Sequence, residues 1–300
     1  MVALIAGPTA SGKTALALHL ARVGNFVIIN ADSAQVYGDV PILSAQPTRT
    51  EQSMVPHRLF GYLDGTVPCS AAQWAADAKA EIVRAHGAGA TPILVGGSGL
   101  YIRTLVQGIA PIPEVDPALR AFIRAMPLDE AYAMLQQRDP AVAASLFPAD
   151  VSRITRALEV VEQTGRSIFD WRTEKTGGIA EEVDLRALLL LPPRDWLYAR
   201  CDARFETMMA NGAVAEVERL LARQLPLEAP IMRAIGVPEI ADMLAGTIPA
   251  EAAMSLGKIA TRQYAKRQFT WFRNQAPHDW TRFEQDINDS NINKFEIMFQ

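Results

Sequence analysis

Val2-Ala3-Leu4-Ile5-Ala6-Gly7-Pro8-Thr9-Ala10-Ser11-Gly12-Lys13-Thr14, followed by Ala15 to Arg22 with leucines at 16, 18 and 20, is the stretch on which the fold turns. Five apolar residues stop at Gly7-Pro8 and helix formers begin at Lys13, so the segment reads strand, loop, helix. The loop matches GxxxxGK[ST] at Gly7, Gly12, Lys13 and Thr14, in the strand-to-helix context that this motif needs. Glycines let successive backbone N–H groups turn toward a polyphosphate, and the start of the helix adds positive potential. In such a loop the backbone of Gly7, Pro8, Thr9, Ala10, Ser11 and Gly12 cradles the phosphates, Lys13 reaches the terminal phosphate, and Thr14 holds a magnesium ion (Mg2+). The motif does not say which diphosphate is bound.

Three further apolar runs repeat the strand pattern: Phe26 to Asn30, ending at Ala31-Asp32-Ser33; Pro92 to Val95, ending at Gly96-Gly97-Ser98-Gly99; and Leu185 to Leu191, stopped by Pro192-Pro193. Ser70 to His86 reads as an Ala-rich helix with a serine cap. Short, uniformly apolar strands alternating with helices predict an α/β fold, a P-loop NTPase-like parallel sheet core flanked by helices. Ligands of such sheets sit at the carboxyl ends of the strands, where Gly7 to Thr14, Asp32 and Gly96 to Gly99 all fall. From Ile112 the character changes. Pro111, Pro113, Pro117 and Pro127 precede helical stretches Leu128 to Arg138 and Ile154 to Gln163 and a polar loop Thr173 to Glu182. The expected organisation is therefore residues 1–111 as the first part of the core, 112–183 as a mostly helical insertion domain, and 184–300 as the rest of the core. That last part carries helices over Trp196 to Met209, Val214 to Arg223, Pro238 to Leu244 and Ala250 to Arg273. The Asn/Asp-rich tail after Asp286 is expected to be loosely held.

The composition, 300 residues with 49% hydrophobic and 21% charged, is that of a folded chain and excludes disorder as its main state. No run approaches the roughly 18 apolar residues of a spanning helix, and the opening strand leaves no room for a basic-then-apolar leader. A soluble, cytoplasmic chain with no membrane partner is expected. Cys69 and Cys201 form no CxxC and no disulfide framework. The net charge of −4 argues against a simple nucleic-acid binder. The distribution tells more, because Ala252 to His278 contains no acidic residue but has Lys258, Arg262, Lys266, Arg267 and Arg273.

Spacings of four put Arg262 and Lys266 on one face of that helix, and Gln263, Arg267 and Thr270 on the next, a surface able to follow a phosphate backbone. Tyr264, Phe269, Trp271 and Phe272 either stack on bases or fill the core. Arg153 and Arg156 share a face near another helix start. Asp32, in Asn30-Ala31-Asp32-Ser33-Ala34-Gln35, is a metal ligand, a proton acceptor or a turn cap. From the residues alone the choice stays open between a P-loop kinase of small metabolites, a group-transfer enzyme acting on nucleotides or RNA, and a noncatalytic RNA-binding module.

Taken together, GPTASGKT, NADSAQVY, VGGSGLYIRTLVQG, SRITRALEV and TRQYAKRQFTWFR resemble, in order and spacing, the bacterial tRNA dimethylallyltransferases, a similarity that runs to about Phe283. The resemblance implies transfer of the dimethylallyl group from dimethylallyl diphosphate to N6 of the adenosine at tRNA position 37, beside the anticodon; separately, a monomer is expected. It assigns proton removal to Asp32 and diphosphate contacts to Lys13, Arg204 and the loop, and it places Thr9 near the reactive end of the donor. Asp32, Ser33, Ala34 and Gln35 would line the base pocket. Ser98 and Arg120 would contact the anticodon stem-loop; Ser152, Arg153, Ile154, Thr155 and Arg156 would hold it from the insertion, and Arg262, Gln263, Lys266, Arg267 and Trp271 would line the channel or the RNA surface. Prenyl transfer to free AMP, ADP or ATP is the related alternative, against which the insertion and the basic helix argue. Val151-Ser152 departs from the Pro-Gln usual before that arginine pair, which puts one RNA contact in doubt.

Overall fold

In the computed structural model, which describes residues 1–299, six strands build one sheet. They are β1 (Val2–Ala6), β2 (Phe26–Asn30), β3 (His57–Arg58), β4 (Thr91–Gly96), β5 (Leu185–Leu190) and β6 (Thr281–Phe283). Their order is β3-β2-β4-β1-β5-β6, and each neighbouring pair is parallel. All of β1 is buried, with Leu4 between Leu94 of β4 and Ala187 of β5, which is why that strand is apolar at every position. The α/β expectation holds.

The helices are α1 (Lys13–Val23), α2 (Arg49–Met54), α3 (Ala71–Gly87), α4 (Gly99–Gln107), α5 (Pro117–Ala125), α6 (Leu128–Arg138) and α7 (Pro140–Ser145). Then come α8 (Val151–Thr164), α9 (Ile168–Trp171), α10 (Arg194–Ala210), α11 (Ala213–Ala222), α12 (Val237–Leu244) and α13 (Ala250–Gln275). Their ends follow local chemistry. Ser70 accepts from the Gln73 N–H at 3.1 Å to start α3. Asp116 accepts from Ala118 and Leu119 at 2.8 and 3.0 Å, with Pro117 in the first turn of α5. Asp150 caps α8 at the N–H of Arg153, and Gly165, at φ 65°, ends it in the left-handed conformation that glycine tolerates.

The chain divides into two compact units, Met1–Leu105 with the segment from Ala180 onward, and Val106–Ile179. The second unit begins before residue 112 and ends before 183 because Ile109 bridges Thr176, which ties the polar loop into it. Its core is built from Ile123, Ala131, Leu135, Val142, Ile154, Ala157 and Leu158.

One expectation fails. Residues 287–299 are an ordered part of the core: Phe295 and Phe299 are buried in the same cluster as Leu16, Leu20 and Leu190. Asn291 is also buried, its Nδ2 donating to the Asp286 carbonyl and its Oδ1 accepting from the Asn288 N–H. His19 meets Glu296 at 2.7 Å. The Asn and Asp residues form local turn hydrogen bonds that seat Ile287, Ile292, Phe295 and Phe299; composition signals turns, and turns can be packed.

Candidate active site

The loop after β1 is strained in a productive way. Gly7 has φ 151°, and a Cβ there would come within 2.4 Å of the Leu190 carbonyl oxygen, so only glycine lets the chain leave the sheet here. Ala10, a non-glycine, sits at φ 64°. Gly12, at φ 97°, starts α1 with no side-chain cap, which leaves the first-turn N–H groups open to an anion.

The cations around this loop lack carboxylate partners within ion-pair distance among the described residues. Lys13 Nζ donates to the Pro8 carbonyl at 2.7 Å, and Arg204 of α10 donates to the Thr9 hydroxyl. Burial pulls the Lys13 ammonium down to about 8, with Asp32 partly opposing the shift and Arg204 reinforcing it. Burial likewise lowers Arg204, against the opposing influence of Cys201 and Asp32. Two buried polar atoms here, Ser11 Oγ and Arg204 Nε, have no hydrogen-bond partner. Donors and positive charge without protein acceptors make a receptor for an anion.

Asp32 stands at the end of β2. Its N–H donates to Asn30 Oδ1 at 2.8 Å and its Oδ1 accepts from the Ala34 N–H at 3.0 Å, so the turn-cap reading is realised in the geometry. Oδ2 has no protein partner among the described residues, and the side chain faces the cavity. Behind it the Ser33 N–H donates to Ser98 Oγ at 2.8 Å, and the buried Tyr264 hydroxyl joins these two serines. Burial first, then Asp32, raises the Tyr264 phenol, so it stays protonated and able to donate.

A cavity of about 820 Å³ joins these parts: Thr9 to Ala15, Asp32 to Gln35, Arg200 and Arg204 of α10, and Thr261, Tyr264 and Arg267 of α13 line it. Its rim near Leu43 is held by Glu216 of α11, fully buried, whose oxygens accept from the Ile42 and Leu43 N–H groups at 2.8 and 2.9 Å. The donor set suits a divalent cation held mainly by substrate oxygens. Thr14 supplies a hydroxyl to it, while no group of three or more His, Cys, Asp or Glu among the described residues would cage a metal alone.

Other sequence candidates lie elsewhere or act differently. Of the α13 residues, Arg267 reaches the cavity lining, whereas Arg262, Gln263, Lys266 and Trp271 do not. Arg262 is paired with Asp202, both carboxylate oxygens lying at 2.6 Å, and Lys258 with Glu206, so the acid-free stripe is partly neutralised from α10. The aromatics of α13 divide: Phe272 is fully buried, Phe269 and Trp271 are half-buried, packed beside Leu197 and Cys201 and against Gly99, and Tyr264 lines the cavity. Phe272 therefore takes the core role of the two readings. Arg120, Ser152, Arg153, Ile154, Thr155 and Arg156 belong to the other compact unit. Ile154 is fully buried in that unit's core, which corrects its reading as an RNA contact; helical spacing turns it inward while Arg153 points out. The Thr155 hydroxyl donates back to the Val151 carbonyl at 2.8 Å.

Two residues escaped the sequence reading. Gln268 of α13, 6% exposed, accepts from the Thr9 N–H at 2.7 Å and donates to the Gly97 carbonyl at 3.0 Å, bridging the phosphate loop to the end of β4. A Cβ at Gly97 would meet Gln268 Nε2 at 2.2 Å, so that glycine is what admits the bridge. Arg200 donates to the Ala10 carbonyl at 3.1 Å. A glutamine amid cations carries no signal by itself.

Comparison with known proteins converges on one family. The model of the family described as IPP transferase matches residues 35–275. The chain is 54% identical over 297 residues to a tRNA dimethylallyltransferase of Sphingopyxis alaskensis, covering 99% of this chain and 97% of that one. It is 59% identical over 260 residues to a tRNA dimethylallyltransferase of Novosphingobium aromaticivorans, covering 87% and 92%. Among solved structures, the full-length tRNA isopentenylpyrophosphate transferase of Bacillus halodurans is similar with a TM-score of 0.71 and 32% identity, over 99% of this chain and 95% of that one. A eukaryotic dimethylallyltransferase, described as acting on tRNA, gives a TM-score of 0.79 at 28% identity over 90% of this chain and 69% of its own. With the phosphate loop, Asp32 and Arg204 gathered at the strand ends and these relatives matched over almost its whole length, this chain belongs to the IPP transferase family.

Proposed function

We infer that the protein is a tRNA dimethylallyltransferase, which moves the dimethylallyl group of dimethylallyl diphosphate onto N6 of the adenosine at position 37 and releases diphosphate. The observation that carries this reading is a single cavity with unpaired cations at one end, Lys13 and Arg204, and the Asp32 carboxylate facing in as well. A leaving diphosphate needs the first, and an amine losing its proton needs the second.

The adenine amino group is a weak nucleophile because its lone pair is delocalised into the ring. As the N6–carbon bond forms and the allylic carbon–oxygen bond breaks, Asp32 takes the N6 proton. The Ala34 N–H occupies Oδ1, and the Asn30 side chain holds the Asp32 N–H, which leaves the second carboxylate oxygen for that task. The loop N–H groups, Lys13 and Arg204 receive the charge that develops on the leaving diphosphate, and they are aimed before reaction begins. Thr9, held at its N–H by Gln268 and at its hydroxyl by Arg204, fixes the loop beside the reacting carbon. A magnesium ion held by Thr14 and substrate oxygens would add to the neutralisation of the diphosphate. The target base is stacked in its loop and must be extruded to reach Asp32, at a cost of a few kcal/mol.

The test incubates the protein with magnesium, unmodified tRNA and dimethylallyl diphosphate, followed by mass spectrometry of the digested RNA. One prenyl group on adenosine, with AMP and ATP inert in parallel, is the expected result. Prenylated AMP or ATP would overturn the acceptor but keep the chemistry. No prenylated product, with phosphate transfer from ATP to a small metabolite, would favour a kinase.

A further inference from the structure

Arg120 and Arg124 are four residues apart on α5, and Arg156 and Glu159 are three apart on α8, so each pair shares a helical face. The two helices bring all four together within one compact unit. Glu159 Oε1 accepts from Arg124 Nε at 3.1 Å, and its Oε2 accepts from Arg156 Nη1 at 3.3 Å, with Arg120 Nε at 3.9 Å. The carboxylate is 1% exposed, while the side chains of Arg120, Arg124 and Arg156 are 41%, 64% and 41% exposed. One buried negative charge thus stands under three guanidiniums whose outer faces reach solvent, an excess of two positive charges.

The family resemblance already sets Arg120 and Arg156 against the RNA; we propose that Glu159 beneath them is the positioning residue that holds these arginines, and Arg124 with them, in the geometry that receives RNA phosphates. A structural ion pair joining α5 to α8 would need one arginine, and Ile123 already packs these helices together with Ile154, Ala157 and Leu158. One carboxylate offsets one of the three positive charges, so the remaining excess repels itself unless an anion joins the cluster. Arg120 points the same way: its Nε is buried and has no hydrogen-bond partner, 3.9 Å from a carboxylate that two other arginines already occupy. Guanidinium forks match phosphate oxygens in pairs, and a fork held from behind loses less rotamer freedom on binding. Binding through phosphates positions an RNA without reading its sequence, which leaves recognition of the base to the cavity around Asp32.

The proposal rests on the tRNA reading above, and its test separates the two. Binding of unmodified tRNA to the full chain is measured against salt concentration for wild type, Glu159→Gln and Arg124→Ala, with thermal unfolding and steady-state kinetics in parallel. Glu159→Gln makes the protein more positive by one charge, so a diffuse electrostatic surface would bind RNA more tightly. Loss of positioning instead gives about tenfold weaker binding and a salt dependence shallower by about one phosphate contact. KM for tRNA rises, while kcat and KM for dimethylallyl diphosphate stay unchanged. Equal or tighter tRNA binding by folded Glu159→Gln overturns the proposal. Should that variant unfold, Arg124→Ala decides: roughly three- to tenfold weaker binding with a shallower slope supports the site, and unchanged binding removes it. Wild type that fails to bind tRNA at low salt defeats the tRNA reading itself.

Discussion

Lys13 and Arg204 at the phosphate loop, and Arg120, Arg124 and Arg156 in the unit spanning residues 106–179, meet the same problem of holding cations ready for an anion. The loop solves it by burial without counter-charge, parking Lys13 on a carbonyl and Arg204 on a hydroxyl. The other unit keeps its cations at the surface and braces them on one buried carboxylate. Burial makes a deep, selective and pH-sensitive receptor, because water no longer screens the charge. Bracing at the surface makes a salt-sensitive grip suited to a long polyanion. A small diphosphate and an RNA backbone call for these two designs in turn.

The largest expected effect tests what the buried site is for. Asp32→Ala should lower prenyl transfer by about 100- to 10,000-fold while changing tRNA affinity less than about tenfold, measured by single-turnover kinetics and a binding assay. Retained turnover would remove Asp32 as the base. Next, Lys13→Met should reduce turnover by about 100- to 1,000-fold. Its pH behaviour sharpens the contrast: burial pulls the Lys13 ammonium down to about 8, so affinity for inorganic pyrophosphate should fall as pH rises through that value. Calorimetry should find that fall in wild type and a flatter profile in Lys13→Met. Folding stability runs the other way. From pH 8 to the ordinary lysine range the unfolded chain holds the extra proton, so stability rises with pH there.

Phe299→Ala should cost about 3 kcal/mol or more in denaturant unfolding, because it opens a void against the cluster that backs α1. Loss of diphosphate affinity beyond that expected from unfolding would show that the tail also shapes the loop. The smallest effect separates two residues of α13: Lys266→Ala should weaken tRNA binding by roughly threefold, and Arg262→Ala by less, since Arg262 already spends its charge on Asp202. Equal losses would mean that this ion pair opens when RNA binds.

Much of the fold was legible because the four central strands are continuous apolar runs next to turn residues. The edge strands β3 and β6 were not, since two or three residues with one side open carry no such pattern. Short α7 was missed because six residues carry too little helical periodicity, and the ordered tail because Phe295 and Phe299 are buried by partners far along the chain, Leu16 and Leu20 among them. At the site, the loop could be read outright, because one contiguous segment makes it. Asp32 could be read only as one of three things, and Arg204 only through the family. Gln268, Glu159 and Glu216 left no trace, as each does its work through a partner at least 35 residues away.

The position of β1 sets an order of events at birth. It is the first strand made, yet its partner β5 lies at residues 185–190 and its other partner β4 at 91–96. On the ribosome the edge that will meet β5 must wait while the whole segment 106–179 is synthesised, and the patch awaiting Phe295 and Phe299 stays open longer still. The phosphate loop, although written in the first fourteen residues, is thus among the last parts of the molecule to reach its working shape.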